Sequence, residues 1–180
     1  MSEPLHLDAA DAKPAAGLSF GDKGLTLLKG VEALYLTPYD DQTGRDITAW
    51  VPGATIGYGH LIKKPEWQTY KDGITETAAD TLFKSDLAPF VKLVQSNIKV
   101  SLTQNQFDAL VILAFNIGAG GFSGSSVVIL VNDPQATTKY TDLEAAWKAW
   151  NKSQGKVMKG LENRRQCEWK IYSQGVYERW

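Results

Sequence analysis

The sequence predicts an α+β fold that is mostly helical, with a small antiparallel β-sheet lobe and a larger helical lobe. Strand and turn signals concentrate in residues 36–60, where β-prone runs alternate with short turn clusters. Helix caps and helical apolar spacing recur over residues 65–180. Hydrophobic residues make up 43% of the 180 residues, which suffices for a packed core and excludes disorder of the whole chain. We therefore expect one domain over residues 19–180, preceded by a flexible arm, residues 1–18, rich in Pro, Ala and Asp.

A first helix is predicted over the segment KGLTLLKGVEAL, with Asp22 as its cap. Glu32 comes near the end of this helix, on its apolar side. Partial removal from water favours the neutral form of a carboxyl group and raises its pKa, and a carboxyl group that keeps its proton near neutral pH can act as a general acid. The alternative interpretation is a Glu at a helix end that pairs with an arginine. The apolar stripe consists of Leu25, Leu28, Val31 and Leu34.

The segment that follows the first helix predicts a small antiparallel sheet. The run DITAWV is β-prone and lies between the turn clusters QTG and PGA, and TIGYG forms a further short strand. Asp40 and Asp41 lie at the start of this sheet, eight and nine residues after Glu32. A helix end and a strand can form two walls of a cleft, and cleavage of a glycosidic bond requires two such carboxyl groups. Aspartates in turns, however, usually serve the turn itself.

Helices are predicted from residue 65 to the C-terminal end. Pro65 is placed to open a short helix, and Thr75 can cap a longer one. Pro89 lies inside that longer segment and is expected to kink or split it. Thr103 and Gln106 form a capping box before a segment that is apolar almost all round, which indicates a buried central helix.

Stop and start signals delimit the remaining helices. Gly118 is expected to end the central helix. The segment SSVVILVN is predicted to be a short helix that ends at residues 133–134. Thr141 and Glu144 form a second capping box, and the last helix, LENRRQCEWKIYSQ, is expected to stop at Gly175.

Composition excludes several classes of function. A net charge of −1 and a pI near 6.1 argue against a nucleic-acid partner. Cys167 is the only cysteine, and the two histidines are far apart, so we expect no intrachain disulfide, no metal site and no cofactor. The N-terminus lacks a signal-peptide pattern and no apolar run reaches about 18 residues. We therefore expect a monomer, made in a reducing cytoplasm, that does not insert stably into a membrane.

Several motifs, in order along the chain, resemble the phage-type lysozymes, the endolysin group of glycoside hydrolase family 24. The family signature is a Glu, eight residues, an Asp, and a Thr that opens TIGxGH. This sequence has Glu32, eight residues, Asp41, and Thr55 in TIGYGH. The match continues in LTQNQFDALVILAFNIGAGGFSGS and in GLENRR, so the resemblance covers about residues 22–172. It implies a lysozyme-like fold.

The resemblance also implies roles for individual residues. Glu32 matches the general acid, Asp41 the carboxylate that activates or positions a water, and Thr55 a hydroxyl residue that lines the cleft beside that water. Asn116 in AFNIG matches a polar position that contacts substrate. Arg164 matches the arginine that pairs with the catalytic Glu.

Arg165 is a close rival of Arg164 for this pairing. An arginine beside Glu32 would lower the pKa of its carboxyl group, in opposition to the effect of burial. By the same analogy, His60 is expected to form an ion pair with Asp86 and to be structural.

The sequence departs from the family at one place. The family commonly has about five residues between the Asp and the Thr, whereas residues 42–54 make thirteen here. Asp40 and Asp46 are therefore alternatives to Asp41 as the second carboxylate. Trp50 lies in this insertion, and we expect it to cover the sheet rather than to stack on a sugar ring.

The resemblance implies a muramidase that cleaves the β-1,4 bond between N-acetylmuramic acid and N-acetylglucosamine in bacterial peptidoglycan and lyses the cell. Inversion at the anomeric carbon is expected. The alternatives are a lytic transglycosylase that acts on the same bond and a catalytically silent wall-binding module. A phage endolysin without an export signal would stay in the host cytoplasm until a holin-type lesion released it to the cell wall.

Overall fold

The structure, a computed structural model, describes residues 11–180. The helices of this part of the chain are α1 (Asp22–Val31), α2 (Trp67–Tyr70), α3 (Glu76–Asn97), α4 (Gln104–Ile117), α5 (Ala119–Ser123), α6 (Ser126–Asn132), α7 (Leu143–Lys148) and α8 (Lys159–Gln174). The strands are β1 (Lys13–Pro14), β2 (Tyr35–Asp40), β3 (Arg45–Asp46), β4 (Ala54–Gly57), β5 (His60–Leu61), β6 (Ser101–Leu102), β7 (Lys152–Ser153) and β8 (Lys156–Val157). This combination of many helices with small antiparallel sheets confirms the predicted α+β class.

The chain forms two compact units, and the boundaries differ from the predicted lobe limits of 36–60 and 65–180. One unit consists of residues 29–88. The other combines residues 89–180 with the N-terminal segment up to residue 28. The sheet unit is larger than predicted because α2 and the first half of α3 supply apolar side chains to its core.

The predicted sheet is present in the unit of residues 29–88. Its four strands lie in the order β3-β2-β4-β5, and each neighbouring pair is antiparallel. Tyr39 on β2 lies opposite Thr55 on β4 and opposite Asp46 on β3. Asp40 lies opposite Ala54. Because successive side chains alternate between the two faces of a sheet, Tyr39 and Asp40 leave β2 on opposite faces.

One face of this sheet carries a small hydrophobic core. Ala54, Ile56 and Ile62 are buried at its centre. Trp50 packs against them and its indole Nε1 donates to the carbonyl of Ile62 at 2.9 Å, so it covers the sheet as predicted. The partly buried residues that complete this core are Ile47, Val51, Trp67, Tyr70, Ile74 and Leu82. The insertion therefore contributes core side chains rather than only a longer turn.

The central helix of the other unit is α4. The capping box of Thr103 and Gln106 and the stop at Gly118 are both confirmed. Nine consecutive or near-consecutive residues of α4 are buried, from Asn105 to Ala114, and α4 packs along α8. Gly175 ends α8 in the left-handed conformation, as the sequence predicts.

One predicted helix detail is wrong in part and another is wrong. Pro89 does not split the helical segment, because α3 continues through it from Glu76 to Asn97, and the alternative of a kink stays a prediction. The residue that caps α7 is Asp142 rather than Thr141, since its carboxylate accepts the N–H of Ala145 at 2.8 Å. A carboxylate one residue further along the chain meets that N–H better than the hydroxyl of Thr141 could.

Part of the predicted N-terminal arm is packed against the chain. Residues 1–10 lie outside the described residues. From Lys13 onwards the chain pairs with Ser101 and Leu102 in a short two-stranded sheet. Ala15 and Leu18 are buried. Backbone pairing at Lys13 and Pro14 and the burial of Ala15 and Leu18 therefore anchor residues 13–18, which a composition rich in Pro and Ala does not reveal.

Candidate active site

Glu32 lies one residue beyond the end of α1, where the chain bends towards β2. Its side chain is half-buried. Gly59, in TIGYGH, lies beside its carboxylate, since a Cβ added to Gly59 would stand 3.7 Å from Oε2 of Glu32. Gly59 has a φ of +88°, a conformation that favours glycine. The turn of TIGYGH therefore brings backbone, rather than a side chain, next to this carboxylate.

Asp41 and Thr55 are joined through one backbone carbonyl. The carbonyl oxygen of Gly53 accepts the N–H of Asp41 at 3.0 Å and the hydroxyl of Thr55 at 3.0 Å. Thr55 is buried, whereas Asp41 is exposed at the start of the β2–β3 turn. A Cβ at Gly53 would overlap with the carboxylate oxygens of Asp40 and Asp41. Glycine at position 53 therefore leaves the space that both carboxylates occupy.

The three aspartates proposed as the second carboxylate have different environments. Asp40 serves the turn, because its carboxylate accepts the N–H of Gln42 at 3.1 Å and the hydroxyl of Thr43 at 3.2 Å. Asp46 is exposed on the edge strand β3, on the same face as Thr55 by register. The backbone N–H of Asp41 bonds the carbonyl of Gly53, whereas the side-chain hydrogen bonds of the turn are accepted by Asp40 and not by Asp41.

Tyr39 lies beside the candidate site residues, and the sequence analysis did not single it out. Burial raises the pKa of its phenol, and the phenolate of Tyr35 and the carboxylates of Asp41 and Glu32 raise it further. The carboxylates of Glu32 and Asp41 thus both lie within electrostatic range of a single phenol. The rings of Tyr35 and Tyr39 also pack with centroids 4.1 Å apart. The only signal in the sequence is the position of Tyr39 two residues before Asp41.

His60 forms the predicted ion pair with Asp86. Its Nδ1 lies 3.0 and 2.9 Å from the two carboxylate oxygens of Asp86, and Nε2 lies 3.7 Å from Oε2 of Glu66. The hydrogen bond to Asp86 raises the pKa of the imidazole, and burial opposes this rise. His60 therefore ties the end of the sheet to α3.

Arg164 and Arg165 share a buried carboxylate on their own helix. Nε of Arg164 lies 3.0 Å from Oε1 of Glu168, and Nε of Arg165 lies 2.6 Å from Oε2. The indole of Trp147 donates to Oε2 as well, at 3.1 Å. Burial lowers the pKa of the Arg165 guanidinium, and Glu168 opposes this effect. The sequence analysis missed Glu168, although its spacing of three and four residues from two arginines is a signal for such a pair.

Asn116 is exposed near the C-terminal end of α4. Its Oδ1 accepts Nη2 of Arg165 at 2.7 Å. Asn116 and Arg164 belong to the unit that contains α4 and α8, whereas Glu32, Asp41 and Thr55 belong to residues 29–88. The pairing of Arg164 with Glu32 stays a prediction.

Neither a metal-binding cluster nor a membrane-spanning helix is found among the described residues. In residues 11–180, histidines, cysteines and acidic residues do not assemble in groups of three or more that could hold a metal ion. The helices over the same residues include none that is long and apolar enough to cross a membrane.

Comparisons with known proteins show the family of the chain. The family model described as phage lysozyme matches residues 29–168. The endolysin of Bacillus phage PZA is 37% identical over 163 residues, which cover 88% of this chain and 57% of that protein. The endolysin of Acyrthosiphon pisum secondary endosymbiont phage 1 is 35% identical over 155 residues, which cover 84% of this chain and 95% of that protein.

A solved structure extends the likeness to the fold. The endolysin from Escherichia coli O157:H7 phage FAHEc1 superimposes with a TM-score of 0.71 at 31% identity, over 91% of this chain and 98% of that one. The chain thus spans little more than half the length of the Bacillus phage relative. It matches nearly the full length of the other two proteins.

Proposed function

The chain belongs to the phage lysozyme family of glycoside hydrolases, and we propose that it is an endolysin that hydrolyses the β-1,4 bond between N-acetylmuramic acid and N-acetylglucosamine in bacterial peptidoglycan. One observation carries the proposal. Asp41 and Thr55 bond the same carbonyl, that of Gly53, and the carboxylate of Glu32 lies beside Gly59, four residues after Thr55. Residues 53–59 therefore lie next to two carboxyl groups, and such a pair is what glycoside hydrolysis requires.

The proposed reaction begins with proton transfer from Glu32. Its carboxylic acid protonates the oxygen that leaves the anomeric carbon, while Asp41 accepts a proton from a water on the opposite face of the sugar. Thr55 helps to place that water. Attack from the opposite face inverts the configuration, and it requires carboxyl groups roughly 6.5–9.5 Å apart so that the water fits between them.

Two residues of the other unit have proposed supporting roles. Arg164 pairs with Glu32 and stabilises its carboxylate after proton transfer. Asn116 contacts the glycan. The exposure of Asn116 supports its role, since a polymeric substrate reaches side chains only at the surface. The role of Arg164, which is buried, rests on the family motif.

The biological setting is part of the proposal. The protein acts as a monomer on peptidoglycan, without a metal or cofactor, and neither binds nucleic acid nor inserts into a membrane. It accumulates in the host cytoplasm and reaches the wall through a holin-type lesion. Fractionation of induced host cells, with and without a co-expressed holin, tests this point, because lysis in the absence of any lesion would contradict it.

The decisive experiment combines a lysis assay with product analysis. The wild-type protein is expected to clear a suspension of outer-membrane-permeabilised bacteria and to release fragments with new reducing ends from purified walls. Glu32→Gln is expected to lower this rate by a factor of roughly 100 or more, since general acid catalysis contributes about that much. Glu76→Gln, an exposed change in the first turn of α3, is the matched control.

The products separate this proposal from its alternatives. Mass spectrometry that detects 1,6-anhydro sugars in place of reducing ends would identify a lytic transglycosylase. Binding to walls without release of soluble fragments would identify a silent wall-binding module. A Glu32→Gln variant with a normal rate would overturn the assignment of the acid.

A further inference from the structure

A buried carboxylate on α8 organises side chains that extend to the protein surface. Glu168 is fully buried and Arg165 is 1% exposed. Glu168 lies within ion-pair distance of Arg164 and Arg165 and also accepts a hydrogen bond from Trp147. A buried carboxylate that is paired and hydrogen-bonded in this way has one fixed orientation, because any rotation would leave a charge without a partner. It therefore fixes the guanidinium of Arg165 as well.

The same guanidinium reaches the surface residue Asn116. Nη2 of Arg165 donates to Oε1 of Glu168 at 2.8 Å and to Oδ1 of Asn116 at 2.7 Å, while Nη1 donates to the carbonyl of Trp150 at 3.0 Å. An arginine has only donors, so the atom of the Asn116 amide that faces it must be the oxygen. The Nδ2 group of the exposed amide is consequently the part that is turned away from Arg165.

We propose that Arg165 is a positioning residue that holds the Asn116 amide with its Nδ2 donor directed to the substrate, so that Asn116 selects an acceptor oxygen, the acetamido carbonyl of an N-acetyl sugar. This inference rests on the proposed function and deepens it. An acetamido carbonyl accepts a hydrogen bond from this donor, whereas the ammonium group that replaces the acetamido group after de-N-acetylation has donors only. A fixed donor at Asn116 therefore distinguishes N-acetylated glycan from de-N-acetylated glycan.

Arg165 strengthens this recognition in two ways. An exposed amide without a fixed partner can present either its oxygen or its NH2 group to a ligand. Fixing one orientation on binding costs conformational entropy, whereas an amide held by Arg165 has lost this entropy already on folding. The buried guanidinium also polarises the amide that it contacts, and this cooperativity makes the outward N–H a better donor. Glu168 makes both effects possible, because an unpaired guanidinium would not remain buried.

The first test replaces the donor without changing the size of the side chain. Asn116→Asp keeps an acceptor for Arg165 and removes the Nδ2 donor. On soluble, uncrosslinked glycan strands, this variant is expected to raise KM by about three- to tenfold, the value of one hydrogen bond, with kcat within about twofold of wild type. Its preference for N-acetylated over de-N-acetylated strands should fall by the same factor. An unchanged KM and an unchanged preference would overturn the proposed donor.

The second test asks whether Arg165 acts through Asn116. Arg165→Met should raise KM as Asn116→Ala does, and the double variant should be no worse than Asn116→Ala alone. If the increase in KM of the double variant equals the product of the two single increases, Arg165 acts independently of Asn116, and the positioning role is overturned. If Arg165→Met does not fold, Arg165→Lys replaces it in this comparison of single and double variants. Lysine keeps a cation beside Glu168 but lacks the several N–H donors with which a guanidinium bonds two groups at once.

A matched control and the wild-type protein complete the design. Gln166→Ala changes the exposed neighbour of Arg165 on α8 and should leave both KM and the acetyl preference unchanged. A wild-type protein that releases no reducing ends from either glycan would refute the proposed function itself. An active wild type whose variants lack the expected KM effects would refute only the role of Arg165.

Discussion

Tyr39 and Thr55 lie directly opposite each other on β2 and β4. Because paired residues of antiparallel strands share a face, their side chains leave the sheet on the same side. Ala54 and Ile56, the neighbours of Thr55 along β4, point to the other side and form the small core. The sheet thus separates an apolar face that stabilises the unit from a polar face that carries the candidate site.

The choice between Asp41 and Asp46 can be tested with a pair of isosteric variants. Asp41→Asn is expected to lower kcat on purified walls by about 100-fold or more, because it removes the proposed base. Asp46→Asn should reduce kcat by less than about threefold. Both residues are exposed, so the free energy of unfolding should change by no more than about 0.5 kcal/mol. Equal losses in the two variants would contradict the assignment of Asp41.

Gly53 is predicted to be required for the position of Asp41. A Cβ there overlaps with the carboxylates of Asp40 and Asp41, and Asp40 is held by Gln42 and Thr43. Asp41 must therefore move, and a displacement of about 1 Å can lower a rate about 100-fold.

The expected result for Gly53→Ala is a loss of kcat of about ten- to 100-fold in the lysis assay. Gly160→Ala is the control, because a Cβ at that position meets nothing within 4 Å. A Gly53→Ala variant as active as this control would show that Asp41 does not depend on the space at Gly53.

The ion pair of His60 and Asp86 predicts a pH dependence of stability. The pKa of folded His60 is raised, with Asp86 as the main cause, so the pair stabilises the protein fully below about pH 6.5, the unfolded pKa. This contribution disappears as the pH rises through the higher, folded pKa.

NMR titration of the His60 ring should give a pKa above the ordinary value in the wild type and a lower one in Asp86→Asn. The free energy of unfolding should fall with rising pH over this range, and the fall should be smaller in Asp86→Asn. A normal pKa for His60 in the wild type would contradict this account.

Asp108 is predicted to anchor the C-terminal segment to the start of α1. Its carboxylate is 1% exposed and accepts the N–H of Gly21 at 2.9 Å, Nε2 of Gln104 at 2.8 Å and the hydroxyl of Tyr177 at 2.6 Å. Tyr177→Phe should lower the free energy of unfolding by about 1–3 kcal/mol, the range for a hydrogen bond to a charged group.

Asp108→Ala should lower it further, because it leaves several donors without an acceptor. Chemical denaturation measures both changes, with Ser173→Ala, an exposed change on α8, as the control. A Tyr177→Phe variant as stable as this control would show that the anchor contributes nothing.

Trp50 is expected to act through the small core rather than through the substrate. Trp50→Phe keeps an aromatic ring on the core but loses the bond from Nε1 to the carbonyl of Ile62. The free energy of unfolding should fall by about 1 kcal/mol, while kcat and KM on soluble glycan strands stay within about twofold of wild type. A large rise in KM without a loss of stability would instead indicate stacking on a sugar ring.

Much of the fold follows from local signals. The capping box of Thr103 and Gln106, the stops at Gly118 and Gly175, and the sheet after α1 all match the structure. These features depend on hydrogen bonds and apolar spacing over a few residues, which a single sequence displays directly. The order of the family motifs adds Glu32, but it does so through resemblance rather than through local physics.

Other features depend on residues that are far apart in the chain. The register between β2 and β4 places Tyr39 opposite Thr55. The packing of α8 against α4 allows Arg165, rather than Arg164, to form the hydrogen bond with Asn116. In the sequence, Arg164 and Arg165 both lie within about one helical turn of Glu168. Spacing alone therefore could not show which of the two arginines bonds Asn116.

The amino-acid sequence by itself determined the caps and stops of several helices and the segment that forms the four-stranded sheet. Only the tertiary structure decided which aspartate serves the turn, which residue lies opposite Thr55 in the sheet, and which arginine bonds the amide of Asn116. The physical reason is the separation in sequence between the interacting residues, because caps and turns are set by neighbours within about four residues. Strand register and buried ion pairs depend instead on which segments, distant in the sequence, pack against each other and exclude water from their contact.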